Sequence, residues 1–255
     1  IMIWVIAGTQ DGRELAAELK RHSGEKVIVT VISQYGKLLA APGVDQVLVG
    51  RLTQDQMEEL IGTYQIDCVV DASHPYAAIV SQMAQAAAKA TSIRYLRYER
   101  PEVPLPDYAR LYHAKDEYEA AELAASLGKR IYLTTGSKTL PVFMQSKALS
   151  GKEIWARVLP TPEVVAQCKN LGLTPKYIVA IQGPFSLAMN RAMFTDTQAD
   201  VIVMKNSGLV GGTDTKLTAA METGAAIVVI DRPINRSEYP VLTSVKDVIK
   251  AWEEL

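Results

Sequence analysis

Short β-branched apolar runs alternate with longer amphipathic stretches along the whole chain. The runs at 2–7, 26–32, 44–49, 66–70, 93–98, 131–135, 153–159, 177–181, 201–205 and 226–230 have the length and Val/Ile content of buried strands. Helical spacing predicts helices at 14–20, 54–64, the alanine-rich 77–91, 113–127 and from 138 to 144. Others open at Thr161-Pro162-Glu163, run from a Ser186 cap through Phe194, follow Gly212, and close the chain at 245–254. Thr53 and Gln56 have the spacing of a capping box. Strands separated by helices imply parallel sheets, because a parallel pair needs a crossover and the crossover helix covers a sheet face. One passage breaks the alternation. Residues 101–106 (Pro-Glu-Val-Pro-Leu-Pro) read as an extended crossover, since each proline fixes φ and keeps the preceding residue out of the helical region. This predicts an N-terminal α/β domain at 1–103 and a C-terminal α/β domain at 104–255, with the carboxyl-end loops of both sheets facing an interdomain cleft.

Composition narrows the class of partner. A chain of 255 residues holds roughly one to two domains and a substantial core. A net charge of -1 gives no reason to expect nucleic acid or an acidic membrane surface. Cys68 and Cys168 lack paired spacing, which argues against a disulfide scaffold or a zinc site, and no metal is expected. Cys68 lies inside an apolar run and reads as a small core residue. No apolar run approaches the ~20 residues of a membrane span. The chain enters its first strand without a charged leader, so no signal peptide is expected and a cytoplasmic protein is the default.

Candidate chemistry gathers at the carboxyl ends of strands, where open α/β sheets bind their ligands. Residues 201–205 run into Asn206-Ser207-Gly208 and Gly211-Gly212, then into a helix that Thr213 or Asp214 would cap. A strand, a glycine turn and a helix N-terminus offer free N–H groups to an anion. Lys205 at the strand end is either a phosphate contact, a proton donor or a solvated side chain. The turn after the first strand, Gly8-Thr9-Gln10-Asp11-Gly12, repeats the logic, and Thr9 either caps the helix or bonds a phosphate. Its spacing is not the dinucleotide fingerprint, and no acid follows the second strand to hold a ribose. Ser33-Gln34-Tyr35-Gly36 reads as another strand-end loop.

Asp71, His74 and Tyr76 converge on one turn. Asp71 could orient His74, and His74 could bind a carboxylate or pass a proton, with Tyr76 as a stacking face. Alternatively Asp71 caps the following helix and His74 packs on the turn. Arg97 and Arg100 are either carboxylate clamps or surface residues. Thr134, Thr135, Gly136 and Ser137 suit a phosphate or an ordinary polar turn.

Taken in order, Gly8-Thr9…Gly12-Arg13-Glu14-Leu15-Ala16, Asp71-Ala72-Ser73-His74-Pro75-Tyr76, Arg97-Tyr98-Glu99-Arg100-Pro101, Thr134-Thr135-Gly136-Ser137-Lys138, Ala156-Arg157-Val158-Leu159-Pro160, Gln182-Gly183-Pro184-Phe185-Ser186…Asn190, Lys205-Asn206-Ser207-Gly208…Gly211-Gly212…Lys216…Ala219-Ala220 and Arg232-Pro233 resemble the precorrin-6A reductase family of cobalamin (vitamin B12) synthesis. The resemblance covers nearly the whole chain. Asn206 and Ser73 stand where many members carry Asp and Thr.

The resemblance implies two Rossmann-like or flavodoxin-like domains. It also implies reduction of one ring double bond of a tetrapyrrole by NADPH or NADH in corrin metabolism. On that basis Thr135, Gly136, Ser137, Ser207, Gly208, Gly211 and Gly212 would hold the pyrophosphate, and Gln182, Gly183 and Phe185 the nicotinamide end. Lys205 would donate the proton or polarise the ring. Gly8, Thr9, Asp71, His74, Tyr76 and Arg100 would contact the substrate. Two other readings fit the residues: a non-redox tetrapyrrole-pathway enzyme, and a two-domain protein that binds an acidic ligand without chemistry.

Overall fold

Alternation along β1 (Met2–Ile6) explains the first half of the fold. Ile3 and Val5 face one side of a sheet, with Leu15 and Leu19 of α1 (Gln10–Ser23) and Val248 of α10 (Val245–Glu253). Trp4 and Ile6 face the other side, with Met57, Leu60 and Ile61 of α3 (Gln54–Thr63) and Ala84, Ala87 and Ala88 of α4 (Ala78–Ala90). A strand covered on both faces must be apolar at consecutive positions, and this run is. The Trp4 indole is fully buried and donates to Thr30 Oγ1 at 2.9 Å, so its one polar atom is satisfied. Each large side chain buried this way contributes about 1.5–3 kcal/mol.

The computed structural model describes residues 1–234 and 237–254. Among them lie ten α-helices and two six-stranded parallel sheets. The chain divides into two units, one of Ile1–Pro101 with the segment from Pro233 onward, the other Glu102–Arg232.

In the first unit, β2 (Lys26–Val31), β3 (Gln46–Val49), β4 (Cys68–Asp71), β5 (Arg94–Tyr98) and β12 (Val241–Leu242) join β1 in the order β3-β2-β1-β4-β5-β12. That is the Rossmann strand order. In the second, β6 (Leu111–Ala114), β7 (Arg130–Leu133), β8 (Glu153–Val158), β9 (Ile178–Ala180), β10 (Val201–Lys205) and β11 (Ala226–Ile230) stand in the order β9-β8-β7-β10-β11-β6. Counted from β7 the same winding repeats, with β6 on the far edge.

Helices α5 (Glu117–Leu127), α6 (Leu140–Met144), α7 (Pro162–Asn170), α8 (Leu187–Asp196) and α9 (Thr213–Glu222) belong to this second unit. Its core sets Tyr132, Ile202, Met204, Ile227 and Val229 of the sheet against Phe194 of α8 and Leu217 of α9.

Four elements differ from the sequence expectation. Residues 111–114 form β6, so the helix expected from 113 starts only at Glu117, behind an Asp116 cap. β12 is a two-residue strand that the pattern did not signal. Both are edge strands bonded on one side only, and an edge strand needs no continuous apolar run. The Ser33–Gly36 loop is the start of α2 (Gln34–Ala40), with Ser33 Oγ accepting from Gly36 N. Finally, the closing segment lies in the first unit, not in a continuous 104–255 domain. β12 pairs with β5, and α10 packs on α1 and β5, because Val248 completes the core under β1.

Candidate functional site

In the first unit the chain runs from β1 to β2 and β3 on one side, then returns to β4 on the other. The carboxyl ends of β1 and β4 therefore flank a topological switch point, the usual place for a ligand in such sheets. Thr9 caps α1, its Oγ1 accepting from Gly12 N at 3.3 Å. A Cβ on Gly12 would stand 3.0 Å from the Ala72 carbonyl, so the glycine eases the close approach of the first turn of α1 to the β4 turn.

Asp71 does not orient His74. It is fully buried, and its carboxylate accepts from Tyr95 Oη at 2.5 Å and Ser73 N at 3.1 Å and pairs with Arg97 Nη1 at 3.3 Å. Burial, reinforced by the Asp71 charge, raises the Tyr95 hydroxyl above its usual range, so it stays a donor. Arg97 also donates to the Asp71 and Ser73 carbonyls at 3.1 and 3.0 Å. Asp71 thus anchors the turn from inside. His74 and Tyr76 are half-buried, with ring centroids 5.7 Å apart, and His74 Nδ1 accepts from Tyr76 N at 3.1 Å. Arg100 is buried and donates to Asp11 Oδ1 at 2.9 Å. A pocket of about 290 Å³ with mixed polar and apolar walls opens beside this turn, lined by Pro75, Ser81, Gln82, Arg97, Glu99 and Ser237 among others.

In the second unit the switch point falls between β7 and β10. Thr134 Oγ1 donates to the Val203 carbonyl at 2.8 Å and ties the two strand ends together. Beyond it, the Thr135 and Thr139 hydroxyls are buried without a hydrogen-bond partner among the described residues. Gly136 between them has φ of +79°, with open space where a side chain would stand. A buried orphan hydroxyl is costly unless a ligand or water completes it. Ser137 lies in the same turn, its carbonyl accepting from Gln167 Nε2 at 3.1 Å.

The β10 turn is held by Asn206. Its amide closes a two-way bond with the Val103 backbone, Oδ1 accepting at 2.9 Å and Nδ2 donating at 2.8 Å. Ser207 N donates to Thr213 Oγ1 at 3.0 Å. A Cβ on Gly211 would fall 2.5 Å from Ser207 Cβ, so the turn closes only with glycine there. Gly212, with φ of +72°, stands at the cap position of α9, in place of the expected Thr213 or Asp214.

Lys205 ends β10, with its side chain 15% exposed and Nζ 3.6 Å from Glu117 Oε1. Burial pulls the ammonium below its usual range. Glu117 opposes that shift, and the Lys138 charge adds to it. At the end of β9, Gln182 and Gly183 are exposed, and Phe185 is half-buried under the Arg157 guanidinium, 4.2 Å from its ring centroid. Arg157 is itself buried and donates to Asn190 Oδ1 at 2.7 Å. Asn190 Nδ2 and Thr215 Oγ1 both donate to the Phe185 carbonyl, at 3.3 and 2.9 Å. Sequence reading assigned no role to Arg157, Asn190, Thr215, Thr139 or Glu117. An arginine inside the apolar run 153–159 is the one local signal that marked a buried charge.

Cys68 is fully buried, and burial pushes its thiol up to about 12, which leaves it an inert core residue. Among the described residues no group of three His, Cys, Asp or Glu could hold a metal ion, and no helix is long and apolar enough to cross a membrane.

Two parallel sheets wound in Rossmann fashion, each with ligand-type turns at its switch point, define an α/β protein of Rossmann-like fold. The model of the family described as "Precorrin-6x reductase CbiJ/CobK" matches residues 2–253. The cobalt-precorrin-6A reductase of Priestia megaterium is 39% identical over 252 residues, which is 98% of this chain and 97% of that protein. The cobalt-precorrin-6A reductase of Salmonella typhimurium is 37% identical over 232 residues, covering 91% and 87%. The solved structure of CobK precorrin-6A reductase superposes with a TM-score of 0.78 at 22% identity, over 99% of this chain and 96% of that one, a likeness of fold. The chain belongs to the precorrin-6x reductase family, reductases of cobalamin biosynthesis.

Proposed function

We propose that this protein reduces a ring double bond of precorrin-6A or cobalt-precorrin-6A with NADPH or NADH as the reductant. The family match over residues 2–253 carries the substrate and the reaction. The pair of buried, unpartnered hydroxyls at Thr135 and Thr139 supports a ligand at the β7 turn. These residues suit a nucleotide. Thr135, Gly136 and Ser137 would meet one side of the pyrophosphate, where Gly136 leaves room for close approach. Ser207, Gly208, Gly211 and Gly212, before the N-terminus of α9, would meet the other, where the helix dipole favours an anion. Gln182, Gly183 and Phe185 form the nicotinamide end, with Phe185 held flat beneath Arg157. When bound, the nicotinamide supplies a hydride.

The chain's own task is to place the ring and to manage a proton. Gly8, Thr9, His74, Tyr76 and Arg100 bind the substrate, while Asp71 fixes the turn that carries His74 and Tyr76. Lys205 is the proton donor. Its ammonium is largely withdrawn from water, which makes it a stronger acid than a solvated lysine and a better match to neutral pH.

The deciding experiment titrates the protein into NADPH and into NADH, followed by nucleotide fluorescence, with and without the ring. The expected result is selective binding of one nucleotide and its oxidation only when precorrin-6A or its cobalt form is added. Failure of both nucleotides to bind would overturn the assignment.

A further inference from the structure

Burial makes Lys205 hold its proton less tightly than a solvated lysine does. The side chain is 15% exposed, and the nearby Lys138, in the turn after β7, repels its charge. Glu117 acts the other way, with its Oε1 3.6 Å from Nζ and its side chain 21% exposed. The fold places Glu117 deliberately. β6 occupies the far edge of the sheet, so its crossover to β7 must pass β11 and β10, and α5 packs on both. Glu117 is the first residue of α5, after an Asp116 cap whose carboxylate accepts from Glu119 N at 2.9 Å. The dipole of α5 favours an acidic residue in this first turn.

We infer that Glu117 is the positioning residue of the proton-delivery step, holding the Lys205 ammonium charged and directed at the end of β10. The inference rests on the reading of Lys205 as the donor. In that step an Nζ–H bond breaks and a C–H bond forms on the ring carbon adjacent to the one that receives the hydride. The nucleotide is oxidised, the ring is reduced, and the neutral amine then takes a proton from water. Only the ammonium form donates, so turnover falls as pH rises through the Lys205 titration. Removing Glu117 removes an influence that opposes burial and Lys138, and the fall moves to lower pH.

The test compares kcat against pH for the wild type, Glu117→Gln, Glu117→Asp and Lys205→Ala. Nucleotide binding is measured alongside as a check that each variant is folded. A second readout follows the titration of Lys205 directly, by NMR of ¹³C-methylated lysines, with Lys205→Arg identifying the resonance. Glu117→Gln is expected to bind nucleotide normally, to shift both the alkaline limb and the Lys205 titration to lower pH, and to lose turnover on the alkaline side of the profile. Glu117→Asp should restore part of the shift. An unshifted limb and titration in Glu117→Gln, with Lys205→Ala inactive, would overturn the role of Glu117 and leave the donor standing. A fully active Lys205→Ala would remove the donor and, with it, this inference.

Discussion

Burial and two neighbouring charges compete for the proton of Lys205, and that competition distinguishes it from a solvated strand-end lysine. If it is the donor, Lys205→Ala should lower kcat by roughly 10²–10⁴-fold while nucleotide affinity is kept, as steady-state kinetics beside a binding titration would show. Arg157 makes a different point. It bonds Asn190, covers Phe185, and is buried enough that its own charge is disfavoured. Arg157→Met should leave Asn190 Oδ1 unsatisfied and cost about 1–3 kcal/mol in a urea titration, with a weaker nucleotide complex because Phe185 is no longer held. The lysine and the arginine were both visible as residue types at strand ends. Their environments were not, because Glu117 and Asn190 reach them from distant parts of the chain.

Single elements were legible where the signal is local. The capping box of α3 forms as its spacing implies, Thr53 Oγ1 accepting from Gln56 N at 3.3 Å and Gln56 Oε1 accepting from Thr53 N at 2.9 Å. Thr53→Ala should cost about 1 kcal/mol, read as a lower thermal midpoint with unchanged turnover. The β10–α9 turn is the stricter element. Gly211→Ala would force a Cβ onto Ser207, and the turn must open to accept it. Nucleotide affinity should fall by at least tenfold while the circular dichroism spectrum stays as it is; unchanged affinity would remove that turn from the nucleotide site. Elements that failed to announce themselves were β6 and β12, whose edge positions need neither a continuous apolar run nor length.

For the whole molecule, the closing segment carries the consequence. Its β12 completes the first sheet and its Val248 is fully buried in the core beneath β1. A chain ending at Arg232 would expose the faces of α1 and β5 that α10 covers. It should lose the cooperative unfolding of the first unit and aggregate, as calorimetry and light scattering of the truncated protein would reveal. A truncated chain that melts like the full one would mean that the segment only decorates the sheet.

The alternation of strands and helices, the parallel sheets, most caps, and the glycine- and hydroxyl-bearing turns at the strand ends can all be read from neighbouring residues. These follow from local rules of side-chain period and backbone freedom that act over a few residues. The return of the last segment to the first sheet came from the three-dimensional fold. That fold also bonded Asn206 to Val103, closed Asp71 inside the turn that carries His74, and brought Glu117 to Lys205. Those pairings join positions far apart in the chain. Their partners are chosen by how strands order and helices cross, and no pattern of neighbouring residues encodes that choice.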